Sequence, residues 1–294
     1  MPTAFDNTWE ALLRPGAATT FFADALRPPD FTDDRFRLDD AWWCAELCRL
    51  IYRQEQDEVG ATVSPTRDDL LASVGLREVT FFSEAGTQAA IVSQRGDDVA
   101  RWSALVFRGT HDLRDWLTNT SAVPDRSRVE PVGDALDAVW PVVETAIEQA
   151  TGPIVYTGHS LGGAMATLAA TLRPPDALYT FGSPRVGDAT FVDSIAHVAH
   201  HRVVNNRDIV PTVPLPQGWP GYRHHGKVHH IMRDSTVVTE ATDDEVASHR
   251  QANDSMWPAT PGEWASIFDL QPARFLADHA PVNYVAHLAR ASQR

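Results

Sequence analysis

Apolar residues recur along this chain with two different periods, and the change of period separates its parts. Between Asp40 and Tyr52, the side chains of Trp43, Leu47, Leu50 and Ile51 fall on one face at helical spacing. Asp39 and Asp40 stand ahead of them as candidate caps, so a packing helix is expected there. From Glu78 to Arg108 the pattern shortens to three apolar runs, Val79 to Phe82, Ala89 to Ser93 and Trp102 to Phe107. Turn residues near Gly86 and at Gly96-Asp97-Asp98 part them. Short runs between turn signals predict antiparallel or edge strands. Beyond them the pattern alternates: a helix from about Asp134 to Gln149, a strand at Ile154 to Thr157, a helix from Leu161 to Leu172 and a strand at Ala177 to Phe181. Apolar runs at Arg202 to Asn205 and Val228 to Met232 add two more strands. Alternation of this kind implies parallel strands joined by crossover helices. The expected class is α/β, with a mostly parallel central sheet flanked by helices and antiparallel strands on its N-terminal side.

No internal repeat or low-complexity linker divides the sequence, and the Pro/Gly clusters at Arg27-Pro28-Pro29, Arg173-Pro174-Pro175 and Pro214 to Gly221 read as loops. A single domain over 1–294 is expected, with residues 1–38 as a peripheral extension. Apolar residues make up 43% and charged residues 22% of the 294, the usage of an ordinary globular protein. The formal net charge of −14 repels phosphate backbones, so nucleic acid is excluded as an expected partner. No run of about eighteen apolar residues occurs, so no transmembrane helix is expected and any lipid contact is peripheral. The first thirty residues carry Asp6, Glu10, Asp24 and Asp30 and no secretory apolar run, which makes the expected location cytoplasmic, with non-classical export left open. Cys44 and Cys48, one helical turn apart in an apolar segment, are expected as buried thiols.

At Thr157-Gly158-His159-Ser160-Leu161-Gly162-Gly163, a serine stands between glycines where a predicted strand meets a predicted helix. That context makes it a nucleophile elbow, with helix N–H groups positioned for a developing oxyanion. A serine hydroxyl attacks only when a positioned base takes its proton, so an acid and a histidine should follow. Asp208, in Val204-Asn205-Asn206-Arg207-Asp208-Ile209-Val210-Pro211, and His279, in Ala277-Asp278-His279-Ala280-Pro281, come in that order. Asp188 and Asp278 compete for the acid's place, and His249 and His287 for the base's, although His287 suits a packed position near Tyr284 and Leu288. The run His224-His225-Gly226-Lys227-Val228-His229-His230 raises a metal reading, since closely spaced imidazoles can share zinc or copper. Against it, neighbouring residues of a strand face opposite ways, so His229 and His230 would not aim at one ion without a bulge. No metal and no cofactor are expected.

Phe107-Arg108-Gly109-Thr110, Thr157 to Gly163, Thr180-Phe181-Gly182-Ser183-Pro184-Arg185-Val186-Gly187-Asp188, Asn205 to Pro211 and Asp278-His279 follow one another in the order seen in the class 3 lipases, and over roughly Asp39 to Leu288 the chain resembles that family. The resemblance implies an α/β-hydrolase fold and serine carboxylester hydrolysis. Carried over position by position, it makes Ser160 the nucleophile, His279 the general base and acid, and Asp208 the residue that orients the imidazole. It puts the oxyanion hole at the backbone N–H groups of Leu161 and Thr110, on a loop set by Arg108 and Gly109. It aligns Leu113 to Asn119 with a short lid tipped by Trp116, and Leu113, Trp116, Leu117 and His159 form the lid and substrate-binding set. The His-x-Gly-Phe that usually follows the lid is replaced by Val129-Glu130-Pro131-Val132-Gly133-Asp134, so an acyl groove of different shape is expected. The expected activity is that of a lipase on acylglycerols or related lipid esters, in transient contact with a lipid interface. A short-chain esterase or a phospholipase A1-like enzyme is the alternative, and a non-catalytic lipase-like scaffold the remaining one.

Overall fold

The computed structural model describes residues 3–24, 26–56, 59–84, 86–95, 101–109, 130–150, 152–214, 221–251 and 277–294. In chain order it contains helices α1 (Trp9–Leu13), α2 (Leu38–Leu50) and α3 (Arg67–Ala72), then strands β1 (Leu76–Glu84), β2 (Thr87–Gln94) and β3 (Ser103–Phe107). Helix α4 (Glu130–Glu148), strand β4 (Ile154–His159), helix α5 (Leu161–Leu172), strand β5 (Ala177–Phe181), helix α6 (Ala189–Ser194) and strand β6 (His200–Asn205) alternate after them. Strands β7 (Lys227–Ile231) and β8 (Val237–Ala241) precede helices α7 (Asp243–Gln251) and α8 (Pro281–Ser292).

All eight strands form one sheet in sequential order. The first two pairings are antiparallel, those from β3 to β7 are parallel, and β8 closes the far edge antiparallel to β7. Every residue of β4, β5 and β6 is buried, which explains their near-continuous apolar runs: a parallel strand covered on both faces has no solvent side to mark. The two-residue alternation survives in what each side chain touches. Ala104 and Val106 join the cluster under α2 and α8, whereas Leu105 and Phe107 join the cluster under α4 and α5.

On one face, Trp42, Trp43, Leu47 and Leu50 of α2 pack with Tyr284, Val285 and Leu288 of α8. On the other, Leu136, Val139, Val143 and Ile147 of α4 make the expected stripe and lie in one cluster with Ala164, Ala166 and Ala169 of α5. The small side chains of α5 let it run close over the strand ends that carry the site. Phe21, Phe22 and Phe31 of the N-terminal segment are buried in the α2 cluster. Cys44 and Cys48 are buried free thiols, and burial pushes the Cys48 thiol up to about 12.

Three local details differ from the pattern reading. Helix α2 starts at Leu38 with Arg37 as its N-cap. Asp39 and Asp40 lie inside the first turn, where the helix dipole favours acidic side chains. Strand β1 is longer than its apolar run and bulges between Glu78 and Thr80. Strand β8 was not expected, because only its last residue is buried and its pattern is that of a half-solvated edge.

Candidate active site

The turn between β4 and α5 sets Ser160 at φ 59° and ψ −129°. That is a strained conformation for a residue with a Cβ, and it persists only where its surroundings enforce it. Here the Ser160 N–H donates to the Phe181 carbonyl at 2.9 Å, and the Ser160 carbonyl accepts from Gly163 N–H at 2.9 Å. The turn is so tight that a Cβ at position 158 would lie 2.1 Å from the Gly162 carbonyl oxygen. Ser160 is buried, and its Oγ has no hydrogen-bond partner among the described residues. Leu161 opens α5, so its N–H is one of the helix's first four, which have no acceptor inside the helix.

Asp208 follows β6 in a turn closed by its N–H to the Asn205 carbonyl at 2.8 Å. Its carboxylate is wholly buried and well supplied with donors. His279 Nδ1 lies 2.9 Å from Oδ1 and 2.8 Å from Oδ2, Val210 N–H donates to Oδ1 at 2.9 Å, and the Tyr284 hydroxyl donates to Oδ2 at 2.5 Å. A buried carboxylate survives only with such partners. Because an ionised carboxylate only accepts, the bond assigns a proton to Nδ1 and leaves the lone pair of a neutral ring on Nε2. Gly182, next to the Phe181 that holds Ser160, packs against both groups: a Cβ there would lie 2.4 Å from Asp208 Oδ2 and 2.9 Å from His279 Nδ1. The three sequence-predicted residues thus meet around the end of β5. Asp208 and His279 are joined there, and among the described residues the Ser160 hydroxyl has no hydrogen-bond partner.

The competitors are engaged elsewhere. Asp188 caps α6 by accepting Phe191 N–H at 3.0 Å. Asp278 accepts from Asn206 Nδ2 at 2.8 Å and Arg207 N–H at 3.1 Å, and its burial pushes its carboxyl up to about 6. His249 pairs with His230, and His287 bonds the Ser235 hydroxyl at 2.8 Å. His159 lies behind the base: its Nε2 is 2.7 Å from the His279 carbonyl and its Nδ1 is 3.3 Å from the Tyr52 hydroxyl. Burial, then the neighbouring His279, holds His159 well below the usual histidine range.

The histidine-rich run divides among separate environments. His224 bonds the Pro211 carbonyl, His225 pairs with His200, His229 pairs with His201 and stacks on Phe36 at 3.6 Å, and His230 pairs with His249. Among the described residues no group of three or more His, Cys, Asp or Glu side chains is arranged to hold a metal ion. Thr110, Leu113, Trp116 and Leu117 lie outside the described residues.

Two supports were not read from the sequence. Tyr284, taken there only as a core neighbour of His287, donates to the acid, and the Arg250 guanidinium donates to the Asp208 carbonyl at 2.6 Å. The one available signal was the position of Tyr284 one turn into the helix that follows His279.

The sequential sheet, its crossover helices and the strained serine at the β4 turn define an α/β-hydrolase fold. Residues 104–218 match the family model of the class 3 lipases. It is 35% identical over 161 residues to the secreted mono- and diacylglycerol lipase 1 of Fusarium solani, covering 48% of each protein. It is 30% identical over 159 residues to a lipase of Rhizomucor miehei, covering 46% of this chain and 43% of that one. The chain thus spans about half the length of the curated relatives it matches. Among solved structures, the Lip2 lipase of Yarrowia lipolytica superposes with a TM-score of 0.56 at 22% identity over 71% of this chain and 88% of that one, a likeness of fold. The Fusarium relative is named as a secreted protein, which overturns the cytoplasmic location expected from the acidic first thirty residues. Composition near one end of a sequence was too weak a ground for it.

Proposed function

We propose that this chain is a serine carboxylester hydrolase, a lipase that cleaves acylglycerols or related lipid esters through an acyl-enzyme on Ser160. The observation that carries the reading is the buried Asp208–His279 pair, at 2.8 Å, beside a serine at φ 59° whose hydroxyl is unpartnered among the described residues. Ser160 Oγ attacks the ester carbonyl carbon while His279 Nε2 takes its proton. The oxygen of the tetrahedral intermediate gathers negative charge, which the Leu161 N–H and, by the family resemblance, Thr110 stabilise. Collapse breaks the bond to the leaving alcohol, which receives the proton from His279, and water then repeats the sequence on the acyl-enzyme. Asp208 keeps the imidazole in the tautomer this requires. The partial glycerides named for the Fusarium relative support acylglycerols as the substrate class.

Leu113, Trp116 and Leu117 are proposed to form an apolar lid over the cleft, which opens more readily against lipid than in water. The chain is proposed to work as one domain, since N-terminal Phe21, Phe22 and Phe31 are buried in the same cluster as α2 and α8.

The test is hydrolysis of p-nitrophenyl esters of rising acyl length, soluble and emulsified, by the wild type, Ser160→Ala and Trp116→Ser. Ser160→Ala should be inactive on all, and Trp116→Ser should lose more on emulsified long chains than on soluble short ones. Turnover by Ser160→Ala would sink the mechanism, and equal losses for Trp116→Ser on both substrates would sink the lid.

A further inference from the structure

His159 and Tyr52 are buried polar residues that take no part in the chemistry set out above, yet they touch all three segments that must be aligned for it. Tyr52 stands at the end of α2, and Gly109 presses on its hydroxyl so closely that a Cβ at 109 would lie 2.2 Å from Oη. The Gly109 backbone hydrogen-bonds that hydroxyl. The same imagined Cβ would lie 3.3 Å from Ser160 Cβ, so this is the loop that faces the nucleophile. The Tyr52 hydroxyl is 3.3 Å from His159 Nδ1, and His159 Nε2 is 2.7 Å from the His279 carbonyl. The His159 and His279 rings also lie against each other, with centroids 4.4 Å apart.

The acceptors fix the direction of each bond. A carbonyl only accepts, so His159 carries its proton on Nε2 and donates it to His279. A neutral imidazole protonated there has a lone pair on Nδ1, so the Tyr52 hydroxyl must donate to it, and the tyrosine oxygen is left to accept from Gly109 N–H. The bonds run head to tail from Gly109 through Tyr52 and His159 to His279. Bonds in such a chain polarise one another and are strong where water is excluded. Burial keeps His159 neutral, which preserves that direction and spares the neighbouring His279 a second positive charge when it takes up the serine proton.

We infer that Tyr52 and His159 are positioning residues: their relay ties the oxyanion loop at Gly109 to the main chain of the base at His279, and so sets the spacing between oxyanion donors and base across Ser160. The inference rests on the triad proposed above. Small misplacements of reacting groups cost large factors in rate, so the relay should be visible in kcat and nearly invisible in KM.

The experiment is a double-mutant cycle on a soluble p-nitrophenyl ester with Tyr52→Phe, His159→Gln and the pair, alongside His159→Phe and Ser160→Ala. Glutamine can still donate toward the His279 carbonyl but offers no ring acceptor to Tyr52, so each single variant cuts the same link. Each should lower kcat by about 3- to 10-fold, with KM within about twofold, and the pair should lose no more than the worse single variant. His159→Phe, which cuts both links, should lose about 10- to 100-fold. Multiplying losses in the pair, or an effect confined to KM, would overturn the relay and leave the two residues as packing. The conservative variants carry the test even if His159→Phe fails to fold. Activity retained by Ser160→Ala would instead strike down the mechanism itself, whatever the relay variants do.

Discussion

The Tyr284 hydroxyl makes a 2.5 Å bond to Asp208 Oδ2 and accepts Asn205 N–H at 3.1 Å, so it joins the proposed acid to the strand that delivers it. Burial, then the Asp208 charge, holds that hydroxyl well above the usual tyrosine range, so it remains a donor at neutral pH. Tyr284→Phe removes the donor with little change of shape. It should lower kcat by roughly 3- to 30-fold with the fold retained, because a buried carboxylate that loses a donor shifts toward its remaining ones; unchanged kcat would show that Val210 and His279 alone hold the acid. That the segments of Ser160, Asp208 and His279 come together at the end of β5 was legible in the sequence, because each sits in a motif whose proposed chemistry calls for the next. Tyr284, Arg250 and Tyr52 were not, since their roles depend on which distant turn each side chain reaches, and no local pattern records that.

At the scale of elements, the β4 strand, α5 and the turn between them were readable because an apolar run, two glycines and a small-residue helix are each required by the geometry they form. Strand β8 escaped because a half-solvated edge carries no strong pattern, and the α2 cap was misplaced because two aspartates suit a first turn as well as a cap. The elbow's tightness makes a sharp prediction. Gly158→Ala would drive a Cβ to 2.1 Å from the Gly162 carbonyl oxygen. The strand and α5 must then separate, so unfolding free energy should fall by roughly 1–3 kcal/mol or more, with activity lost at the same time. Chemical denaturation with the native midpoint retained would mean that the turn is looser than its geometry states.

The whole molecule carries many imidazoles in dry surroundings. Burial pushes His201, His230 and His287 down to about 4 and His229 to about 3, each from an unfolded value near 6.5. A group whose folded pKa is depressed contributes stability that is present above its unfolded pKa and lost as pH falls toward the folded one. Asp40 and Asp278, pushed up to about 6 by burial, act with the opposite sign between about 4 and 6 but are fewer among the described residues. Unfolding should therefore take up protons, and Tm should be nearly level above about pH 6.5 and fall steeply toward pH 4. A Tm that stays level or rises over that interval would contradict the burial of these rings. This acid sensitivity was not legible in the sequence, where the histidine-rich run raised a metal reading that strand alternation argued against and gave no sign of how the rings are paired; only the sheet reveals that they pair with each other and with carbonyls.

Labelling with a p-nitrophenyl phosphonate ester, followed by peptide mass spectrometry, tests the central claim most directly. The reagent phosphonylates an activated serine and releases p-nitrophenol, so the adduct marks the nucleophile. One adduct per chain on Ser160, formed in step with loss of ester hydrolysis and slowed by about a thousandfold or more in His279→Ala, is the predicted result. An adduct on another residue with hydrolysis abolished, or full hydrolysis with Ser160 labelled, would contradict the account.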